Sequence, residues 1–506
     1  MLTANNKTNT ATEHYYLYLN ISENTFTYTQ DENTPEILLT IKDASGNAVT
    51  SISGLNYKTV KDGKGASISG FDITTKKGLI TLFNNREITT TSTKTEQWNV
   101  TATFINYDAD QSANAGKSFN SKVLIQKEKI TLLADYVISQ YTGTQGDNSL
   151  YYHNSSLTNG AGDNSYRYAG GDYQLTDAGR ATGATMIIGY DNTVTTALID
   201  YYCNGTKQYV GYELACSTHY YLVKGNTTQY QTYNEALSAS VEKGYLTKDN
   251  VKNFVCFGSS TTICPIENLY RIIGVIDGKV KLIKYDYAKS SLLGIDGDFA
   301  EEYSNYYFSG NRGESPSSGS LYYWNKTTSA NAWSDSSLNK VNLNKNFLNN
   351  IGTAWANKIA TVTWKVGGNT YDIIVGSVPA TTYQYEVGKN SLNTTYDAKI
   401  GLMYVSDYYY GAGSSAWTLV GYDGSDATKD YSFLKENNWL YGGEFDWTIT
   451  RISGDTKFSA IINAAGSVNG SIIYDYGEAI RPVFFIESSI GYVNGDGTIN
   501  NPIRIE

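Results

Sequence analysis

The sequence predicts a mainly β protein with some α-helix, divided into several domains, and three observations carry that prediction. Its 506 residues exceed what one hydrophobic core ordinarily serves and suit about two to four domains. Forty-five tyrosines and 47 glycines stand against six prolines and three methionines. With abundant Thr, Asn and Ser, this composition favours strands joined by tight turns. Short runs of alternating apolar residues also recur from residue 14 to 128, with turn-rich text between them.

Residues 1–13 are polar and low in complexity, which predicts a flexible lead-in. The runs HYYLYLNI (14–21), EILLTIKD (36–43), KGLITLFNN (77–85), QWNVTATFINY (97–107) and FNSKVLIQKE (119–128) then alternate as half-buried strands do. Such short strands, with no helical stretch among them, predict an immunoglobulin-like β-sandwich over 14–128. The next region, 129–250, reads as a linker helix and a Tyr/Gly/Asn-rich insert packed on the following domain. In KITLLADYVISQY (129–141), Ile130, Leu133 and Val137 share a helical face. Residues 142–182 read as a long loop, and TYNEALSASVEKGYLTK (232–248) as a second helix turning at Lys243-Gly244.

Residues 251–506 open on LYRIIGVIDGKVKLIKYDY (269–287), where β-branched runs flank Asp277-Gly278 as in a tight hairpin. LNKNFLNNIGTAWANKIA (343–360) spaces Phe347, Ile351 and Trp355 for one face of an amphipathic helix. AKIGLMYVSDYYYG and WLYGGEFDWTITRI read as strands entering aromatic loops. An Asn-Gly-Asp-Gly turn (494–497) precedes a closing edge strand.

Several function classes are excluded by charge and motif. Formal charge is −10 with no cluster of Lys and Arg, which disfavours a nucleic-acid partner. No stretch approaches the roughly 18 consecutive apolar residues of a membrane span. MLTANNKTNT shows no signal peptide, so for an exported protein the targeting or anchoring segment is expected outside this chain. Cys203/Cys216 and Cys256/Cys264 have spacings unlike zinc knuckles, and two local disulfides fit them better than four buried thiols. That reading places the chain in an oxidising, extracellular or cell-surface setting.

His14, His153 and His219 are isolated, and there is no nucleophile elbow, zinc-protease helix or phosphate loop. Glu301/Glu302 and Asp423/Asp426 read as solvated turn carboxylates. DGSDATKD (423–430) lacks the calcium-loop spacing. No enzyme, metal or cofactor is expected.

The composition suits an ordinary β-rich exported protein as well as a tyrosine-rich binding surface. Along a strand, Tyr408, Tyr409 and Tyr410 cannot all be buried, so at least one should face solvent. With Trp417 and Tyr441 they form a candidate ligand-binding set, whereas Trp439 and Trp447 read as packing. Arg481-Pro482, ahead of Val483-Phe484-Phe485-Ile486, reads as a structural lock at a strand entry, with Asp446, Asp475 and Glu478 as candidate partners for its charge.

One ordered set of motifs carries a resemblance. NLYRIIGVIDGKVKLIK, KIGLMYVSDYYYG, NNWLYGGEFDWTITRI, the Gly-Ser text at 462–470, and AIRPVFFIESS with YVNGDGTINNPIRI follow one another. This order resembles uncharacterised bacterial surface proteins of Firmicutes type. Their C-terminal region is similar to the C-type-lectin fold, in the variant shared by formylglycine-generating enzymes and diversity-generating-retroelement variable proteins. The resemblance is strong over 250–506 and weak over 128–250. DWTITR replaces the commoner Trp-Trp-Leu-Arg strand, and Gly477 lies four residues before Arg481.

The resemblance implies a C-type-lectin-like domain over 251–506. It also implies that 455–476 is a ligand-facing stretch displaying Ser459, Asn463, Ser467, Asn469 and Tyr474. Enzymes on that fold use cysteines or histidines, and no cysteine follows Cys264 here. The function expected is that of a non-enzymatic, adhesin-like binding protein, presenting its module to a surface glycan or protein ligand. The alternatives are a self-associating subunit of a surface filament or layer, and a degenerate formylglycine-generating-type enzyme.

Overall fold

The computed structural model describes residues 2–6, 12–43, 45–88, 94–188, 195–207, 217–248, 250–306, 317–327, 330–419, 436–464 and 466–506. The chain is mainly β, with 38% of residues in strands and 18% in helices, in many antiparallel sheets. It divides into two compact units, Met1–Leu132 with Ser488–Gly491, and Leu133–Glu487 with Tyr492–Glu506.

The first unit is two antiparallel sheets over one core. One sheet has the order Leu2–Asn6, Lys94–Phe104, Ile37–Lys42, Ser67–Asp72, Tyr57–Lys61, and the other Gly78–Ile88, Glu13–Asn24, Phe119–Gln126. Leu17, Leu19 and Ile21 from the second sheet meet Leu39, Ile41, Phe71 and Trp98 from the first. The Trp98 indole N–H donates to the Tyr15 hydroxyl (2.7 Å), which donates to Glu96 (2.6 Å), so the buried indole keeps a polar partner. Residues expected as flexible lead-in instead include a strand: Leu2–Asn6 pairs with Lys94–Trp98 through backbone bonds that need no apolar side chain. The sequence also hid Tyr57–Lys61 and Ser67–Asp72. The first of these alternates only between exposed and half-buried positions and so carries little apolar signal.

In the second unit a seven-stranded sheet has the order Leu150–His153, Ser165–Tyr168, Leu269–Ile276, Lys279–Lys284, Val483–Phe485, Ile400–Gly401, with Phe254–Cys256 also paired to Leu269–Ile276. The central hairpin forms where Asp277-Gly278 predicts it, with φ of 49° and 71° at the two turn residues. Its first strand is buried at seven of eight positions, Leu269 through Val275. The segment 142–182, expected as loop, supplies two strands of this sheet; their tyrosines pair across the ladder, with Tyr152 and Tyr166 stacked at 4.6 Å.

Elsewhere in this unit, the helix Tyr233–Glu242 starts at Thr232, whose hydroxyl accepts from the Glu235 N–H in a capping box. It packs Ala236 and Leu237 into a core with Leu198, Tyr201 and Tyr221. The helix expected over 343–360 begins earlier, as a widely wound π turn over Leu338–Phe347 that continues through Leu348–Asn350. Gly352, at φ 82°, then ends it, and Thr353–Ala356 is a separate short turn. Asp446–Arg451, Phe458–Ile462 and Val468–Ile472 form a three-stranded antiparallel sheet. The Cys256–Cys264 disulfide is present. Cys216 lies outside the described residues, as do Asp423, Asp426 and the rest of 423–430.

Candidate functional site

The residues singled out for ligand binding are mostly interior. Tyr408, Tyr409 and Tyr410 lie not on a strand but in the helix Val405–Gly411, so the alternation that would expose one of them does not operate. All three are buried, and each hydroxyl donates to a carbonyl: Tyr408 to Gly466 (2.7 Å), Tyr409 to Ile374 (3.0 Å), Tyr410 to Asn159 (3.3 Å). Trp417 and Tyr441 are buried as well, donating to Ala412 and Ala464 carbonyls. Within 455–476 the chain forms a hairpin in which Ser459 and Ser467 are both buried; Ser459 to Ile462 are buried in succession, and the Ser459 hydroxyl donates to the Thr450 carbonyl at 3.0 Å. Asn463, Asn469 and Tyr474 are half-buried, and Asn469 accepts from the Tyr371 hydroxyl at 2.9 Å. Trp439 and Trp447 are buried, their indoles donating to Tyr168 and Tyr322 carbonyls.

Arg481 is a lock. Its Nε and Nη2 both reach Asp446 Oδ2 at 2.6 Å, Nη2 also donates to the Leu440 carbonyl (2.7 Å), and the guanidinium lies 5.5 Å from the Tyr287 ring centroid. Neither Asp475 nor Glu478 is its partner. Pro482, which has no N–H to lose, accepts from Lys284 at 3.0 Å as the chain enters the strand Val483–Phe485. Beside the lock, burial pushes Glu478 up to about 7, reinforced by the Glu444 and Asp446 carboxylates against the Ser471 hydroxyl that donates to it at 2.8 Å.

A carboxyl raised on folding stabilises the fold below its unfolded value of 4.5 and loses that contribution as pH rises through 7. Glu478→Gln is therefore expected to be more stable than the parent by about 2–3 kcal/mol at pH 8, with the gap shrinking towards pH 4.5. Urea melts at both pH values test this; a gap that does not change with pH would refute it.

The chemistry-bearing constellation lies elsewhere, around a cavity of about 370 Å³. Lys281, from the central hairpin, and Arg167, from the strand Ser165–Tyr168, line it beside Asp407 at the start of the helix Val405–Gly411. Lys281 Nζ is 2.5 Å from Asp407 Oδ2, and Arg167 Nη1 is 3.3 Å from Asp407 Oδ1. Arg167 Nη2 also meets Asp163 at 2.8 Å, and Asp163 accepts from the Tyr383 hydroxyl at 2.9 Å. The Tyr404 N–H donates to Asp407 Oδ2 at 2.9 Å.

Two cations and two carboxylates thus balance in a network whose Lys281, Arg167 and Asp407 side chains are 2–3% exposed. Burial holds the Lys281 ammonium below its ordinary range, against the pull of Asp407. Burial would also lower Arg167, but the Asp163 and Asp407 carboxylates outweigh it and raise it. Aromatic rings complete the surround: Tyr404, Phe485 and Trp364 lie 4.7, 5.5 and 5.6 Å from Lys281 Nζ. Glu386 braces the start of the helix Val405–Gly411, accepting from the Val405 and Ser406 N–H groups and from the Thr450 hydroxyl; burial raises it.

Sequence reasoning missed this site. Arg167 sat in text read as loop, and Asp407 in text read as strand. The available signal was Lys281, a charge flanked by apolar residues in VKLIK of a strand that is buried on both faces. His153, on the neighbouring strand, is buried with Nδ1 accepting from the Ala161 N–H at 3.1 Å; burial and Arg167 push it down to about 3, so its imidazole stays neutral. No protein-family model, curated protein or solved structure matches this chain.

Proposed function

We propose that this chain is a non-enzymatic binding protein of the cell surface or extracellular space. In this reading an immunoglobulin-like unit carries a C-type-lectin-like module, and the module's ligand site is the 370 Å³ cavity instead of the tyrosine run. The cavity carries the proposal. It is of the size that takes one small ligand, and its walls are set in advance by a charge-balanced network and by aromatic rings. Pre-set walls spare a ligand the cost of ordering them. The Cys256–Cys264 disulfide supports an oxidising compartment.

The test is a glycan and peptide array probed with the full chain, followed by two variants. Thr361 is exposed at the cavity edge, so Thr361→Trp should block entry at little cost to folding. It is expected to weaken any array hit at least about tenfold, whereas Asn469→Ala leaves the hit intact. A hit indifferent to Thr361→Trp and lost in Asn469→Ala would return the site to 455–476. Assembly into higher oligomers with no array hit would favour a structural subunit.

A further inference from the structure

We propose that the cavity takes the carboxylated end of an acidic sugar, a uronate or sialate, with Lys279 and Lys365 receiving the carboxylate; this rests on the binding reading above. The cavity is lined by four cationic side chains, Arg167, Lys279, Lys281 and Lys365, and by two acidic ones, Asp277 and Asp407. The ion pairs already described absorb Arg167 and Lys281 into Asp163 and Asp407. Lys279 and Lys365 then remain against Asp277 alone, and Asp277 sits on the exposed hairpin turn. Among the described residues no ion pair engages either lysine.

Lys365 is half-buried. Its Nζ donates to the Val387 carbonyl (2.9 Å) and the Ser391 hydroxyl (3.2 Å), which leaves one of three ammonium hydrogens to give. A partly desolvated ammonium with a spare donor is matched by a carboxylate, in a charge-assisted bond stronger than any neutral hydroxyl would make. The rest of the lining fits the body of a sugar. Tyr383, Tyr404 and Phe485 offer ring surface for C–H faces, and the exposed Thr361 side chain offers a hydroxyl. About 370 Å³ suits one sugar residue with its substituents and not an extended chain.

Titration calorimetry of the full chain with glucuronate, N-acetylneuraminate, glucose and acetate tests the assignment. At least one acidic sugar is expected to bind, more tightly than either glucose or acetate. That affinity should fall roughly tenfold or more in Lys365→Met and in Lys279→Met, and weaken as salt rises. Lys365→Arg, which keeps the charge, should lose less. Among the described residues the Lys279 side chain makes no hydrogen bond or ion pair, so Lys279→Met reads out even where Lys365→Met folds poorly.

Glucose binding as tightly as glucuronate, with Thr361→Trp still blocking it, would overturn the charge assignment and leave the binding site standing. Acetate equal to glucuronate would overturn the sugar. No heat from any probe, together with an array in which Thr361→Trp changes nothing, would remove both the inference and the reading beneath it.

Discussion

Asp407→Ala is expected to destabilise the second unit by about 3–5 kcal/mol, because it strips a buried ammonium of its ion-pair partner. Asp407 is the carboxylate that meets Lys281, at 2.5 Å, and it also holds Arg167 and the Tyr404 N–H. Arg167 would keep Asp163, but Lys281, 2% exposed, would keep among the described residues only rings and the unpaired pull of Glu386. Those rings return roughly 1–2 kcal/mol, less than the desolvation that the pair now offsets. Unfolding is best followed by tryptophan fluorescence, since every tryptophan except Trp98 lies in this unit.

The double variant Asp407→Ala/Lys281→Met removes the stranded charge together with its partner and should recover part of the loss. A loss below about 1 kcal/mol in Asp407→Ala would show that Lys281 reaches solvent through the cavity and that the network is not the framework of the site.

Arg481→Met should cost a similar amount, about 3–5 kcal/mol at pH 8, and this cost should depend on pH. Among the described residues one Asp446 carboxylate oxygen has no hydrogen-bond partner, and burial already pushes its pKa up to about 6 despite the guanidinium beside it. Without Arg481 the folded state keeps Asp446 protonated to higher pH still. A raised carboxyl favours folding at low pH and loses that contribution as pH rises, so the variant should suffer less at pH 5 than at pH 8. Arg481→Met/Asp446→Asn should flatten the dependence. Equal losses at both pH values would mean that packing against Tyr287 and Leu440, not charge, is what Arg481 supplies.

Features governed by neighbouring residues were legible in the sequence. Asp277-Gly278 announced the hairpin because positive φ at both turn positions is a local demand. The helix read over 232–248 is likewise set locally, since the Thr232–Glu235 capping box that starts it joins residues three apart. Arg481 could be read as a lock because a charge ahead of an apolar strand must be satisfied, although only the fold chooses Asp446 over Glu478.

The tyrosine run misled because an apolar, aromatic stretch fits strand and helix alike, and length could not arbitrate over so few residues. Once the segment is helical, its neighbours differ on every side and each tyrosine can be buried. The cavity was not legible because Arg167, Lys281 and Asp407 come from three separate segments of the chain. Nothing local to any one of them specifies the other two.

The three tyrosine hydroxyls of the helix Val405–Gly411 have a kinetic consequence. They close onto Asn159, Ile374 and Gly466, points spread over most of the second unit's length. Loop-closure entropy must be met for each before its hydrogen bond can form. Assembly around this helix therefore belongs to the slow, non-local end of folding. A ribosome releasing the chain from its N-terminus delivers Asn159 and Ile374 before the helix, and Gly466 after it.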